Sequence, residues 1–172
     1  MLAVDATGRI LAESLTTYQC ATPCPGHSEQ NPEDWVTGTV RGIKRVLRDP
    51  EVDPNRVCSI GLTGQMHGLV ALDEDLAVIR PAILWNDQRS APQCESTEAE
   101  LGLDFLLQNT GNRMLPGFTA PKLLWMREHE PEAYDRIRHV LLPKDYVRFR
   151  LGSNLMTDVS DASGTSVFNC GK

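Results

Sequence analysis

Basic charge is scarce in this sequence. Lys and Arg number 17 against 23 Asp and Glu, a formal net charge of −6 over 172 residues. That balance argues against a nucleic-acid partner, which asks for a basic face. Long apolar runs are missing as well, so no window approaches the length of a membrane span. The opening segment, MLAVDATGRILAES, lacks the charged start and the cleavage site of a signal peptide. The expected compartment is therefore the cytoplasm, with no membrane partner. Cysteine is sparse and odd in number: Cys20, Cys24, Cys58, Cys94 and Cys170 fit no disulfide framework, as suits a reducing compartment. Cys20, Cys24 and His27 form C-x3-C-x2-H, but no second ligand pair completes a zinc site. A surface loop broken by Pro23 and Pro25 is the plainer reading. There is no G-x-x-x-x-G-K-[ST] and no G-x-G-x-x-G to cradle a phosphate, and no repeat or low-complexity segment.

What is present is the material of one globular domain with a real core: 41 % apolar and 23 % charged residues. Leu2 to Val4 and Arg9 to Ala12 flank Asp5 to Gly8 and read as a β-hairpin, with Gly8 free to take a positive φ. Asn31 caps a helix that Pro32 opens, and Glu33 and Asp34 favour its positive end. Val36, Val40, Ile43 and Leu47 recur at helical spacing, and Asp49-Pro50 ends the run. Val57 to Leu62 reads as a strand. Leu69 to Asp73 and Ala77 to Leu84 read as a second hairpin, its return strand shortened by Pro81. Helices are expected at Ala91 to Leu101, Leu103 to Gln108, from Pro121 through Met126, Glu132 to Arg138, and Lys144 to Leu151 with Gly152 as the stop. His139 to Leu142 reads as a short buried strand, and Thr157 to Thr165 as a loop leading into a strand. The alternation points to an α/β domain.

Two short stretches could carry chemistry. In Gly64-Gln65-Met66-His67-Gly68 the glycines let the backbone turn and come close to a neighbour. Gln65 and His67 bring donors and acceptors and Met66 an adaptable apolar contact, a set that suits a polyhydroxylated ligand. In Trp85-Asn86-Asp87 an indole stands beside an amide and a carboxylate, a common way to hold a sugar. A core tryptophan followed by two turn formers, and a structural histidine between strands, are the plainer readings of the same residues when each motif is taken alone. Asp158 and Asp161 could serve a metal or a proton, but their spacing matches no calcium loop and a solvated loop explains them.

The blocks SEQNPEDW, GLTGQMHG, RPAILWNDQR, PGFTAPKLLW, LLPKDYVRFRLG and TDVSDASGTSVF follow one another along nearly the whole chain. In that order they closely resemble the FGGY family of carbohydrate kinases. GQMHG and LLPKDY point to its xylulose-phosphorylating members; the glycerol-phosphorylating ones carry an arginine and a glutamate after the glutamine. The resemblance implies two actin-like, ribonuclease-H-like ATPase domains closing over a cleft. In the complete enzyme ATP, with magnesium on its phosphates, would phosphorylate D-xylulose or a similar pentulose. Met66 and His67 would contact the sugar, Gln65 and Trp85 would share the pocket with Asn86 and Asp87 nearby, and Gly117 and Phe118 would border it.

Some of the family pattern is not in this sequence. The Asp-x-Gly-Thr-Ser phosphate turn would precede Met1, and the general-base aspartate would follow Lys172. Residues 1–172 are therefore expected to form most of the N-terminal domain without its first strand and its C-terminal part, and without the nucleotide domain. No catalytic, nucleotide-binding or metal residue is expected within them. His27 stands where the family often has tryptophan. Phosphoryl transfer depends on positioning and on charge stabilisation, so this stretch alone is expected to be inactive and marginally stable or aggregation-prone. A stand-alone sugar-binding module and the product of a decayed gene are the alternatives.

Overall fold

The computed structural model describes residues 1–152 and 154–170. The N-terminal hairpin forms as read: β1 (Leu2–Val4) pairs antiparallel with β2 (Ile10–Glu13), and Gly8 has φ 87°. Its turn is tied by Asp5, whose Oδ1 accepts from Thr7 N, Thr7 Oγ1 and Arg9 N. These bonds, Thr7's foremost, hold the Asp5 carboxyl down at about 2.

Next come β3 (Glu29–Gln30) and α1 (Pro32–Val46). The helix starts as its sequence demands. Asn31 Oδ1 accepts from Glu33 N at 3.1 Å, Glu33 and Asp34 sit in the first turn, and Lys44 and Arg45 in the last. Its buried stripe is Trp35, Val36, Gly42 and Val46; Val40, Ile43 and Leu47 are only half covered.

The core is built round β4 (Val70–Leu72), which pairs antiparallel with β6 (His139–Leu141). β5 (Ala82–Ile83) pairs with β3, and a Leu69–Ile83 bridge joins the two pairs, giving the order β3, β5, β4, β6. Every residue of β4 is buried. Val70 and Leu72 face α1 and α6 (Pro143–Arg150), packing with Trp35, Tyr146 and Val147. Leu69 and Ala71 face the other way, onto Met126 of α4 (Thr119–His129), with Tyr134 of α5 (Pro131–Asp135) beside them. A strand covered on both faces reads as a continuous apolar run rather than an alternating one, and Leu69 to Leu72 is such a run. The expected return strand is broken at Pro81: Val78 bridges Leu72, and only Ala82–Ile83 continues as strand. Beside α4, α2 (Ala91–Leu101) and α3 (Leu103–Thr110) pack Cys94 and Leu106 against Met114 and Ala120. Among the described residues no helix is long and apolar enough to cross a membrane.

Three expectations fail. Val57 to Leu62 is not a strand: after a 3-10 turn at Pro54–Arg56 it runs without a ladder partner among the described residues, and Val57 and Ile60 are exposed. Apolar composition does not make a strand where no neighbouring edge supplies hydrogen bonds. Glu132 to Arg138 is helical only as far as Asp135, because Arg138 N turns away to bond Leu72 O at the start of the β6 ladder. The 157–165 stretch leads into no strand. It forms α7 (Val159–Ala162) and a 3-10 turn at Ser163–Thr165, because Asp158 Oδ1 caps the helix on Asp161 N.

Candidate functional site

The GQMHG stretch is a tight turn at the entry to β4. Its glycines are there for space. A Cβ on Gly68 would lie 2.6 Å from Pro143 Cγ, and one on Gly64 3.2 Å from Lys144 Cβ, so the turn is pressed against the start of α6. His67 takes a left-handed φ of 59°, unusual for a residue with a side chain. Its carbonyl accepts from Lys122 Nζ at 2.8 Å and Thr119 Oγ1 at 3.2 Å. Its ring meets Phe118 edge to face, centroids 4.8 Å apart, and lies flat enough on Gly164 that a Cβ there would be 2.1 Å from Cε1. His67 Nδ1 is buried and has no partner among the described residues. Burial first, and the Lys122 charge second, lower the pKa of the imidazole against a weaker pull from Asp161. It is therefore neutral at neutral pH, with one donor and one acceptor.

Two concavities open beside this turn. One, about 290 Å³, is lined by Met66, His67, Lys144, Asp158, Ser160 and Asp161. The other, about 230 Å³, is lined by Gln65 together with Trp35 and Gly38 of α1. Gln65 is thus parted from Met66 and His67: its Nε2 donates at 2.9 Å to Gln30 Oε1, which also accepts from Trp35 Nε1 at 3.0 Å. Met66 is 45 % exposed and free to touch a ligand.

Trp85 and Asn86 are exposed at the end of β5. Gly117 lies directly against Trp85, where a Cβ would come within 2.7 Å of the Trp85 carbonyl. Phe118, Gly117 and Trp85 thus continue the wall that His67 begins.

Asp87 does not belong to that wall. It is wholly buried, and its carboxylate accepts from Ser28 N at 2.6 Å, Arg89 N at 2.9 Å, Arg89 Nε at 2.9 Å and Arg89 Nη2 at 2.8 Å. Arg89 also pairs with Glu29 at 2.7 Å, and Arg80 joins Glu29 to Glu130. Trp125 lies under both guanidinium groups, at 4.9 Å from Arg89 and 5.8 Å from Arg80. The expected placing of Asp87 among the ligand-facing residues is corrected: both of its oxygens are spent on the network that holds the 80–90 segment to β3.

Two lysines escape sequence reasoning. Lys122 is fully buried, and its Nζ donates to Gly117 O at 2.7 Å besides His67 O. Burial pushes its pKa down to about 7; the Asp87 charge opposes this and the Arg89 charge adds to it. Lys144 meets Asp145 at 2.9 Å and Asp158 and Asp161 at 2.8 Å each. Burial works against that ammonium, but hydrogen bonds to the three carboxylates hold its pKa well above the ordinary lysine range. Asp158, still half exposed, and the more buried Asp161 are therefore both tied to Lys144 rather than only solvated. The only sequence signals were the blocks PKLLW and PKDY, in which a lysine follows a proline at a helix start. Cys20 and Cys24 are exposed, with Cys20 Sγ 3.2 Å from Ser28 Oγ, and His27 sits edge-on to Trp125. Among the described residues no group of three or more His, Cys, Asp or Glu could hold a metal ion.

Residues 1–172 match the FGGY family of carbohydrate kinases, N-terminal domain. The chain is 47 % identical over 162 residues to the xylulose kinase of Bacillus subtilis, covering 94 % of this chain and 32 % of that protein. It is 42 % identical over 165 residues to the xylulose kinase of Escherichia coli, covering 96 % of this chain and 33 % of that one. The crystal structure of a xyloylose kinase from Brucella ovis superposes with a TM-score of 0.90 at 38 % identity, over 96 % of this chain and 34 % of that one. The chain spans about a third of the length of the curated relatives it matches. The fold is the actin-like, ribonuclease-H-like one of FGGY kinase N-terminal domains.

Proposed function

The chain belongs to the FGGY family of carbohydrate kinases, and we propose that it supplies the sugar-facing wall of a kinase that phosphorylates D-xylulose with ATP. The observation that carries this reading is the Nδ1 of His67, which has no partner among the described residues and is buried beside a concavity of about 290 Å³. A buried polar atom without a partner is costly, and a ligand hydroxyl would complete it. Met66, the Phe118 ring and the exposed indole of Trp85 offer apolar faces for the carbon chain. Asn86 is free to bond hydroxyls at the rim, and the closeness of Gly117 brings that rim together. Gln65 acts from the neighbouring concavity through Gln30. In this reading Asp87 positions the segment that bears Trp85 and Asn86.

The chemistry of transfer would come from elsewhere. A magnesium–ATP complex supplies the phosphoryl group in such a reaction, but these residues do not fit it. The one ammonium of Lys144 already bonds the carboxylates of Asp145, Asp158 and Asp161, and among the described residues no group of three or more His, Cys, Asp or Glu could hold a metal ion. What this chain does is bind and orient the sugar, which converts an encounter into a fixed geometry.

The test is to place residues 1–172 in the matching third of the Bacillus subtilis xylulose kinase and to assay ATP-dependent phosphorylation of D-xylulose, D-ribulose and glycerol. Turnover of D-xylulose above the other two, lost in His67→Ala, is the expected result. A folded chimera that prefers another acceptor, or uses none, refutes the proposal.

A further inference from the structure

Lys122 places an amine where physics disfavours its charged form. It is fully buried, and it lies near the start of α4, where the helix dipole opposes positive charge. The partners its ammonium bonds are backbone carbonyls, not carboxylates: His67 O at 2.8 Å and Gly117 O at 2.7 Å. Burying a charge this way costs stability, and an apolar side chain of the same length would avoid that cost. The two carbonyls belong to the two segments that form the rim. On one, His67 holds its left-handed φ of 59°, a conformation that persists only when its surroundings fix it. On the other, Gly117 is pressed against the Trp85 carbonyl, and Phe118 meets the His67 ring.

We propose that Lys122 is a positioning residue for the sugar: one buried ammonium ties the His67 turn to the Gly117 loop and sets the spacing between imidazole and Phe118. The proposal rests on the sugar-site reading above. Thr119, a turn earlier on the same helix, adds its hydroxyl to the His67 carbonyl, so α4 carries the rim as a unit. The charged groups near the Lys122 Nζ are Asp87 and Arg89, and the neutral imidazole of His67 is the other titratable group beside it.

The test uses the chimera with the Bacillus subtilis enzyme. Lys122→Met should raise KM for D-xylulose by about tenfold to a hundredfold, leave KM for ATP unchanged, and not lower the melting temperature. An unchanged KM for D-xylulose in the folded variant overturns the proposal. So does a lowered melting temperature with both KM values intact, which is the behaviour of an ordinary core residue. If the unsubstituted chimera does not use D-xylulose, the functional reading fails by itself. Lys122 is then judged on the 172-residue chain by the carbonyl carbon resonances of His67 and Gly117. Those resonances should shift in Lys122→Met; if they stay in place the tie does not exist. Should the methionine variant not fold, Lys122→Gln, which keeps a shorter donor, carries the same measurements.

Discussion

Asp87→Asn separates a structural carboxylate from a ligand-binding one. The substitution keeps the shape and removes the charge. Asp87 is wholly buried and accepts two bonds on each oxygen: Ser28 N and Arg89 Nη2 on Oδ2, Arg89 N and Arg89 Nε on Oδ1. An amide in its place must turn an NH2 group toward two of those donors. It also leaves the Arg89 guanidinium, whose side chain is 2 % exposed, with Glu29 as its remaining carboxylate. Breaking a buried pair in this way costs about 3–5 kcal/mol. That is a large part of the roughly 5–15 kcal/mol that holds a domain together. Urea unfolding followed by tryptophan fluorescence is the assay, since Arg89 lies 4.9 Å over the Trp125 ring and the probe sits within the network. The neighbouring Asn86→Ala, at an exposed position, should stay within about 0.5 kcal/mol of the parent. If Asp87→Asn instead costs under about 1 kcal/mol and abolishes sugar binding, the carboxylate is a ligand group and the structural assignment is wrong.

Two further outcomes follow from the same geometry. Burial lowers Lys122 from the ordinary 10.5 to about 7, so between those values the unfolded chain binds more protons than the folded one. Stability should then rise with pH across that window, by an amount on the order of 5 kcal/mol, and parallel pH profiles for the parent and Lys122→Met would refute this. Gly164→Ala puts a Cβ 2.1 Å from His67 Cε1. It should displace the imidazole, cost about 1–3 kcal/mol, and raise KM for D-xylulose in the chimera. Unmoved His67 ring resonances together with an unchanged melt would contradict it.

What could be read in the sequence was whatever a local signal encodes. Asn31-Pro32-Glu33-Asp34 announced α1 because a cap is made within a few residues. Gly8 marked the hairpin turn because φ is a property of one residue. GQMHG was identifiable as a place of close approach, although not what approached it: Pro143 and Lys144 come from far along the chain. Most of the errors share one cause. Val57 to Leu62 has strand composition, but a strand is a relation between two segments. Asp87 looked like a sugar ligand because an indole, an amide and a carboxylate stand side by side in the sequence, and only the distant Ser28 and Glu29 reveal that its segment turns inward there. Lys122 carried no sign of burial, because a lysine on a helix is ordinarily solvated. The Asp158 helix is a different case: its cap on Asp161 N is local, but a four-residue helix leaves no apolar periodicity to read beside it.

The contact between His67 and Gly164 sets an order on assembly. A ribosome delivers the GQMHG turn early and Gly164 late. Until the later segment arrives and Lys144 has drawn in Asp158 and Asp161, one face of the imidazole is open to water. The wall proposed to face the sugar is therefore among the last parts of this chain to close during synthesis, after the β4 core beneath it has the residues it needs. A nascent chain halted before Gly164 would hold a core and a hairpin but no finished recess. Ligand binding by arrested chains of increasing length would begin abruptly rather than grow in proportion to the residues made.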